Sequence, residues 1–243
     1  ASGRDGRVLQ VPGAEFGAFR WGYTVDQPLP GLTEKPLVTR DLLPLGSPGA
    51  MDLLCALDDR MQDGVFEPAS LAAVSRWLGV DTIWIANDLA YDRFRTARPE
   101  IVGAEVAAAA DVAEGVDYGA VTLNRPEIAM TDERSLGDGR AGTPHAPVTL
   151  HTVDDPGRVV RAGDDVVLVS GSGDGLVDLA AAGLLDGTEI VRYTASLDPG
   201  ELTETLGDDT RLLVTDSNRD RARHWRSSQD TLGYTESDQP GTD

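Results

Sequence analysis

The pattern of apolar and polar positions separates the chain into three stretches, of which the first predicts an α/β arrangement. Residues 8–11 form a short apolar run that is typical of a buried strand. Apolar residues recur at helical spacing over 48–61 and again over 71–78, which predicts two consecutive helices. A glycine then precedes the apolar run 81–86, which indicates a second buried strand. Because a helix followed directly by a strand is half of an α/β unit, we interpret residues 1–102 as an N-terminal α/β part.

The last stretch, residues 157–226, has the clearest alternation of strand and helix patterns. In order along the chain, it contains predicted strands at 165–170, 189–193 and 211–216, with predicted helices between them at 176–185 and 199–206. Short connections between elements in this order predict parallel strands with right-handed crossovers. We therefore expect a Rossmann-like βαβαβ part that completes the sheet, followed by a polar tail at 227–243.

The middle stretch, residues 103–156, shows little periodicity and contains Gly, Pro and Thr at short intervals. Structureless connections of this length are uncommon inside compact domains. We therefore interpret it as an irregular insertion with some strand pairing, for example at 148–150. The expected fold class is α/β, with a mixed or parallel sheet, flanking helices and this insertion.

Composition narrows the classes of partner. The 243 residues include 21 basic and 41 acidic side chains, which gives a formal net charge of −20. A chain this acidic, without a basic stripe, cannot easily neutralise a phosphate backbone, and we therefore expect no nucleic-acid partner. Anionic lipid surfaces are disfavoured as partners for the same reason. The single cysteine, Cys55, excludes an internal disulfide and a cysteine-rich zinc site. No run approaches the ~20 apolar residues of a membrane-spanning helix.

The Gly-rich turn after the strand at 165–170 invites comparison with a dinucleotide-binding turn. Its glycines, Gly171, Gly173 and Gly175, follow the spacing G-x-G-x-G, whereas a Rossmann turn needs G-x-G-x-x-G to bring the backbone close to a pyrophosphate. Asp174 would also place a negative charge in the phosphate site. We therefore expect no cofactor and interpret the segment as a tight strand-to-helix turn.

Two clusters contain side chains suited to sugar hydroxyls and to the apolar face of a sugar ring. One follows the last predicted strand, at the edge where open α/β sheets place their ligands. Its members are Asp216, Asn218, Arg219 and Trp225. The same residues would also suit a capped, salt-bridged helix start, and this alternative stays open.

The second cluster is the aromatic and charged segment 15–23, which includes Arg20 and Trp21. Its rings are suited to lining a ligand cleft, although aromatic residues in a loop-rich segment also pin loops to the core. The three histidines lack metal-ligand spacing, and no G-x-S-x-G or H-E-x-x-H motif occurs. We therefore expect no metal site and no recognisable catalytic centre.

Five long and unusual strings stand out along the chain. They are VLQVPGAEFGAFRWGYTVD at 8–26, EKPLVTR at 34–40, LGVDTIW at 78–84, TDSNRDR at 215–221 and HWRSSQ at 224–229. These strings resemble the extracytoplasmic part of actinobacterial α-(1→3)-arabinofuranosyltransferases, the AftD-like enzymes. The resemblance runs along most of the chain and is weakest between 103 and 156.

The resemblance implies that the chain is a soluble extracytoplasmic fragment of a large polytopic membrane glycosyltransferase of the C-type fold. Such enzymes take arabinofuranose from a polyprenyl-phosphate donor and extend cell-wall arabinan. Their catalytic acidic residue is expected in the transmembrane part, so no catalytic residue is assigned here. The implied partners are the arabinan acceptor and, in the same polypeptide, the transmembrane part and carbohydrate-binding modules, at the extracytoplasmic face of the cell membrane.

The main hypothesis is that this piece supports or guides the acceptor glycan and is not catalytic alone. The glycan-binding candidates are Arg20, Trp21, Asp26, Arg40, Asp216, Asn218, Arg219 and Trp225. An alternative is a purely structural module that braces the transmembrane part and has no ligand of its own. A free-standing nucleotide-dependent enzyme is the third possibility, and the glycine spacing argues against it.

Overall fold

A five-stranded sheet and a three-stranded sheet carry the fold in the computed structural model, which describes residues 6–40, 46–130, 138, 140–207 and 210–215. The strands are β1 (Arg7–Val11), β2 (Gly17–Phe19), β3 (Gly22–Val25), β4 (Leu37–Val38), β5 (Val80–Ala86), β6 (Val116–Tyr118), β7 (Thr122–Asn124), β8 (Thr143–His145), β9 (Val148–Thr152), β10 (Val166–Ser170), β11 (Ile190–Tyr193) and β12 (Arg211–Val214). The helices are α1 (Pro48–Asp63), α2 (Leu71–Leu78), α3 (Tyr91–Phe94), α4 (Pro99–Ala107), α5 (Gly173–Ala181) and α6 (Pro199–Thr205). None of the helices in these residues has the length and apolar character needed to cross a membrane.

The five-stranded sheet has the strand order β4-β1-β5-β9-β6 and combines both strand directions. β1 runs parallel to β4 and β5, whereas β9 runs antiparallel to β5 and β6. Leu9 and Ile83 belong to the main core, which also contains residues of the helices. Val8 and Trp84 form a smaller cluster with Leu29. Neighbouring residues of one strand thus enter different apolar clusters, because successive side chains point to opposite faces of the sheet.

α1 joins the two sheets through one continuous apolar core. The helix begins with Pro48 at its first position and ends at Gly64, whose φ of 67° is the left-handed conformation that favours glycine. Leu57 and Met61 of α1 share a single core cluster with residues of β5 and of β10. The buried face of α1 is broad because the helix also packs against α5.

The three C-terminal strands form a parallel sheet of their own, in the order β11-β10-β12. This corrects the expectation that residues 157–226 complete the N-terminal sheet. The two units meet through helices instead of strand edges, because α5 packs against α1. The Rossmann-like character of this part stays a prediction, and residues 216–243, which include the predicted polar tail, lie outside the described residues.

The middle stretch is more regular than the expected insertion at 103–156. α4 begins at Pro99 and runs into this stretch, and β9 pairs with β5 over five residue pairs, including Trp84 with Leu150. β6 then pairs with β9 at the edge of the sheet. The stretch therefore supplies the antiparallel strands that make the sheet mixed, and the predicted mixed α/β class with flanking helices is confirmed.

A buried arginine lies at the contact between α1 and α5. Arg60 Nε donates to Asp174 Oδ1 at 2.6 Å, and its Nη2 donates to Asp178 Oδ1 at 2.7 Å. Its Nη1 also donates to Glu67 Oε2 at 2.7 Å. Because only 2% of the Arg60 side chain is exposed, these carboxylates compensate a charge that has lost most of its water.

Candidate functional site

The hairpin formed by β2 and β3 carries Arg20 and Trp21 at its turn. The Trp21 side chain is 61% exposed, yet its position is defined by two contacts. Its ring stacks on Phe19 with centroids 5.0 Å apart, and its Nε1 donates to Asp88 Oδ2 at 2.8 Å. An exposed indole held by stacking and a hydrogen bond offers a fixed apolar face to a ligand.

Further aromatic rings lie next to this turn. The guanidinium of Arg93 in α3 lies 4.7 Å from the centroid of the Tyr23 ring, which is the geometry of a cation–π contact. Phe94 of the same helix stacks on Phe16 at 5.5 Å. Tyr23 and Phe94 are both exposed. We call Phe19, Trp21, Tyr23 and Arg93 the aromatic surface.

Asp92 of α3 holds the hairpin turn and a neighbouring segment together. Its Oδ1 accepts from Arg20 Nη2 at 2.6 Å, and its Oδ2 accepts from the backbone N–H groups of Glu127 and Ile128 at 2.8 and 2.7 Å. Arg20 Nε also donates to Asn124 Oδ1 at 2.5 Å. Burial raises the pKa of Asp92, but the hydrogen bonds from Ile128 and Arg20 outweigh burial and hold this pKa below its ordinary value.

Two cavities meet at Asp92 and Ile128. The first has a volume of about 410 Å³, and its lining includes Arg20, Trp21, Tyr23, Arg93 and Glu127. The second has a volume of about 780 Å³, and its lining includes Met61, Gln62, Arg95, Thr96, Arg98 and Ile101. Apolar faces beside guanidinium and carboxylate groups are suited to a ligand with both C–H surfaces and hydroxyls.

Asp88 contributes an acceptor at the rim of the aromatic surface. Burial raises the pKa of Asp88, and the hydrogen bond from Trp21 partly offsets this effect. Within the described residues, no group of three or more His, Cys, Asp or Glu side chains is arranged to hold a metal ion. The rings of the aromatic surface, together with the guanidinium and carboxylate groups beside them, are suited to binding and orienting a polar ligand.

The structure brings together two of the eight predicted glycan-binding residues, Arg20 and Trp21, which both line the first cavity. Asp26 is exposed just after β3 and lines neither cavity. Arg40 is also outside the cavities and forms ion pairs with Asp58 and Asp59. The remaining four, Asp216, Asn218, Arg219 and Trp225, lie outside the described residues.

Sequence reasoning missed the second half of the site, which comes from α3 and the residue after it. Asp92, Arg93 and Arg95 all line a cavity, but none was a candidate. A signal was present, because residues 91–95 combine aromatic and charged side chains, as the segment 15–23 does. Nothing in the sequence shows that the two segments meet.

At the Gly-rich turn, a side chain of α1 occupies the position where a phosphate could bind. The backbone N–H of Gly173 at the start of α5 donates to Asp52 Oδ2 of α1, so a carboxylate occupies the place that a phosphate takes in nucleotide-binding folds. Asp174 is buried and paired with Arg60. The residues at this helix start therefore do not fit a bound phosphate.

Comparisons with known proteins agree with the family resemblance. The model of the family described as "Alpha-(1->3)-arabinofuranosyltransferase, N-terminal GT-C domain" matches residues 1–241. The alpha-(1->3)-arabinofuranosyltransferase of Mycobacterium tuberculosis is 32% identical over 136 residues, which are 56% of this chain and 10% of the relative. That of Mycolicibacterium smegmatis is 32% identical over 114 residues, 47% of this chain and 8% of the relative. The chain thus spans about a tenth of the length of these curated relatives.

Solved structures of the arabinofuranosyltransferase AftD from Mycobacteria have a similar fold. One aligns with a TM-score of 0.59 and 24% identity over 78% of this chain and 16% of that chain. A mutant form of AftD aligns with a TM-score of 0.59 and 25% identity over 73% of this chain and 14% of the other. The match of the family model to nearly the whole sequence shows that the chain belongs to the α-(1→3)-arabinofuranosyltransferase family, in the part described as the N-terminal GT-C domain.

Proposed function

We propose that this region is an extracytoplasmic part of a membrane arabinofuranosyltransferase and that it supports or guides the acceptor glycan instead of carrying the catalytic centre. In this proposal the whole enzyme transfers arabinofuranose from a polyprenyl-phosphate donor to cell-wall arabinan. Membership of the family supports the reaction class. The observation that carries the guiding role is the exposed Trp21 ring, fixed by Phe19 and Asp88 at the edge of the first cavity.

The chemistry of the aromatic surface suits an uncharged glycan. A sugar ring has apolar C–H faces that pack against an indole or phenol ring, while its hydroxyls need donors and acceptors at the rim. Trp21 and Tyr23 supply the rings, Arg93 supplies donors and Asp88 supplies an acceptor. The net charge of −20 repels anionic polymers and leaves a neutral glycan unaffected.

Titration with arabinofuranosyl oligosaccharides, followed by NMR, tests this function. We expect chemical-shift changes at Trp21 and Arg93 at millimolar ligand, and a loss of about tenfold in affinity in Trp21→Ala, since a fixed indole contributes much of the contact in such sites. The matched control is Tyr118→Ala, because Tyr118 is also exposed but lines neither cavity. An equal loss in both variants, or no shifts at all, would overturn the proposal.

A structural module is the second candidate, and one observation favours it. At the edge of the five-stranded sheet, Val116 and Tyr118 of β6 are both exposed beside the half-buried Val148 and Leu150 of β9. Exposed apolar side chains grouped on an edge strand suit a contact with another part of the polypeptide. If bracing is the function, Val116→Lys reduces the amount of assembled parent enzyme and leaves oligosaccharide binding unchanged.

A further inference from the structure

The second cavity resembles the first in having a cationic side chain beside an apolar wall. Arg95 lines it, and so do Ile101 of α4 and Ile128, whose side chains are 39% and 58% exposed. The two cavities share Asp92 and Ile128 in their linings, so they lie next to each other. Aliphatic residues take the place of the aromatic rings on this side.

Arg95 occupies a backbone position that favours glycine. It follows the last residue of α3 with φ 57° and ψ 37°, the left-handed conformation in which helices usually end at glycine. Its side chain is exposed, and within the described part of the chain no ion pair or hydrogen bond engages it. An arginine in this strained conformation that lines a cavity is a feature that local folding does not explain.

Asp92 shapes the junction of the two cavities and has little capacity left for a ligand. One carboxylate oxygen accepts from Arg20, and the other accepts from two backbone N–H groups. The side chain is therefore a positioning residue, because it fixes both the hairpin turn and the segment that carries Ile128. Contacts to a ligand fall to the groups on either side of it.

We propose that the second cavity is a separate subsite that binds the sugar residues next to the one held on Trp21, with Arg95 donating to their oxygens and Ile101 and Ile128 contacting their apolar faces. This inference rests on the proposed function of the aromatic surface. An uncharged oligosaccharide suits both cavities, because a guanidinium offers five N–H donors to hydroxyl and ring oxygens. A short ligand fills the aromatic surface alone, whereas a longer one also reaches Arg95.

The subsite predicts that affinity depends on the length of the ligand and that Arg95 is responsible. The probes are an arabinofuranosyl disaccharide and a linear arabinofuranosyl hexasaccharide, measured by calorimetry or NMR with the 243-residue chain. Arg95→Gly removes the guanidinium while placing the favoured residue at φ 57°, so its fold is not put at risk. We expect the hexasaccharide to bind Arg95→Gly about tenfold more weakly than it binds the wild type. Disaccharide affinity stays unchanged, and the unfolding midpoint does not fall, because Gly relieves the strain at this position.

The controls separate this inference from the function on which it rests. Arg211→Ala removes an exposed arginine of β12 that lines neither cavity, and it leaves both affinities unchanged. If Arg95→Gly binds the hexasaccharide as the wild type does, the second subsite is wrong, while weaker binding by Trp21→Ala still supports the aromatic surface. If neither ligand binds the wild type, both proposals fail.

Discussion

The Gly-rich turn before α5 and the aromatic turn between β2 and β3 both have the local composition of a binding site, but only one is open. At the first, the carboxylate of Asp52 accepts from the N–H of Gly173, and α1 packs against α5. At the second, Trp21 is 61% exposed at the edge of a cavity. The element packed against a turn therefore decides whether the polar groups of that turn are available to a ligand.

The same difference appears in how each region uses its charges. Around the Gly-rich turn, Asp174 is paired with the buried Arg60 and serves the contact between α1 and α5. Around the hairpin, Arg93 packs on Tyr23, and no ion pair within the described residues holds it. Charged groups that are buried in ion pairs stabilise the fold, whereas charged groups beside a cavity are able to bind a ligand.

The largest expected effect is a loss of stability at the contact between α1 and α5, next to the Gly-rich turn. Arg60→Met leaves the buried Asp174 without its guanidinium partner, so we expect the free energy of unfolding to fall by about 3–5 kcal/mol in urea denaturation. The control is Asp165→Asn, since Asp165 is 64% exposed, its ion pair is with Arg211, and such exposed pairs contribute about 0–1 kcal/mol. Similar losses in both variants would show that the buried ion pairs of Arg60 contribute no more to stability than an exposed pair.

A smaller effect is expected at the filled helix start. Asp52→Ala removes the acceptor from Gly173 and the negative charge from the N-terminus of α5, which should lower the free energy of unfolding by about 1–2 kcal/mol. Asp198→Ala is the matched control, because Asp198 caps α6 through Glu201 N–H in an exposed setting. We expect the loss at Asp198 to be the smaller one. The opposite order would show that Asp52 does not hold the turn closed.

The smallest expected effect is a pH-dependent change in stability at Asp92, next to the aromatic surface. Because the folded-state pKa of Asp92 is below its ordinary value, its contribution to stability is complete above the unfolded pKa of about 3.9 and is lost as pH falls through the folded value. The unfolding midpoints of the wild type and Asp92→Asn should therefore differ at neutral pH and converge on acidification. Asp26→Asn is the control, since this exposed carboxylate lines neither cavity. A difference that persists at the lowest pH would refute the role of the Asp92 carboxylate.

Elements with strong periodicity were predictable from the sequence. The helix expected at 48–61 is α1, and the strand expected at 81–86 is most of β5, because a broad apolar face or a buried run marks each of them locally. α4 was missed because its apolar residues do not fall on one face, although Pro99 at its first position was a usable signal. The pairing of β9 with β5 joins residues more than sixty positions apart, and short-range patterns contain no such information.

The candidate site was predictable only in its first half. The aromatic composition of the hairpin segment singled out Arg20 and Trp21, and both line a cavity. Arg40 comes from a string that resembles the family, but its guanidinium pairs with Asp58 and Asp59 of α1. A charged residue in a recognisable string is thus compatible with a role in packing as well as in binding.

By itself, the sequence determined the family, the mixed α/β class and the exclusion of a standard dinucleotide turn, because these depend on strings, periodicity and spacing along the chain. Only the tertiary structure decided which polar features are open. It placed Asp52 over the start of α5, and it brought α3 beside the hairpin so that Asp92 joins two cavities. The physical reason is that a side chain becomes available to a ligand only where no distant segment has already taken its hydrogen bonds and its apolar surface.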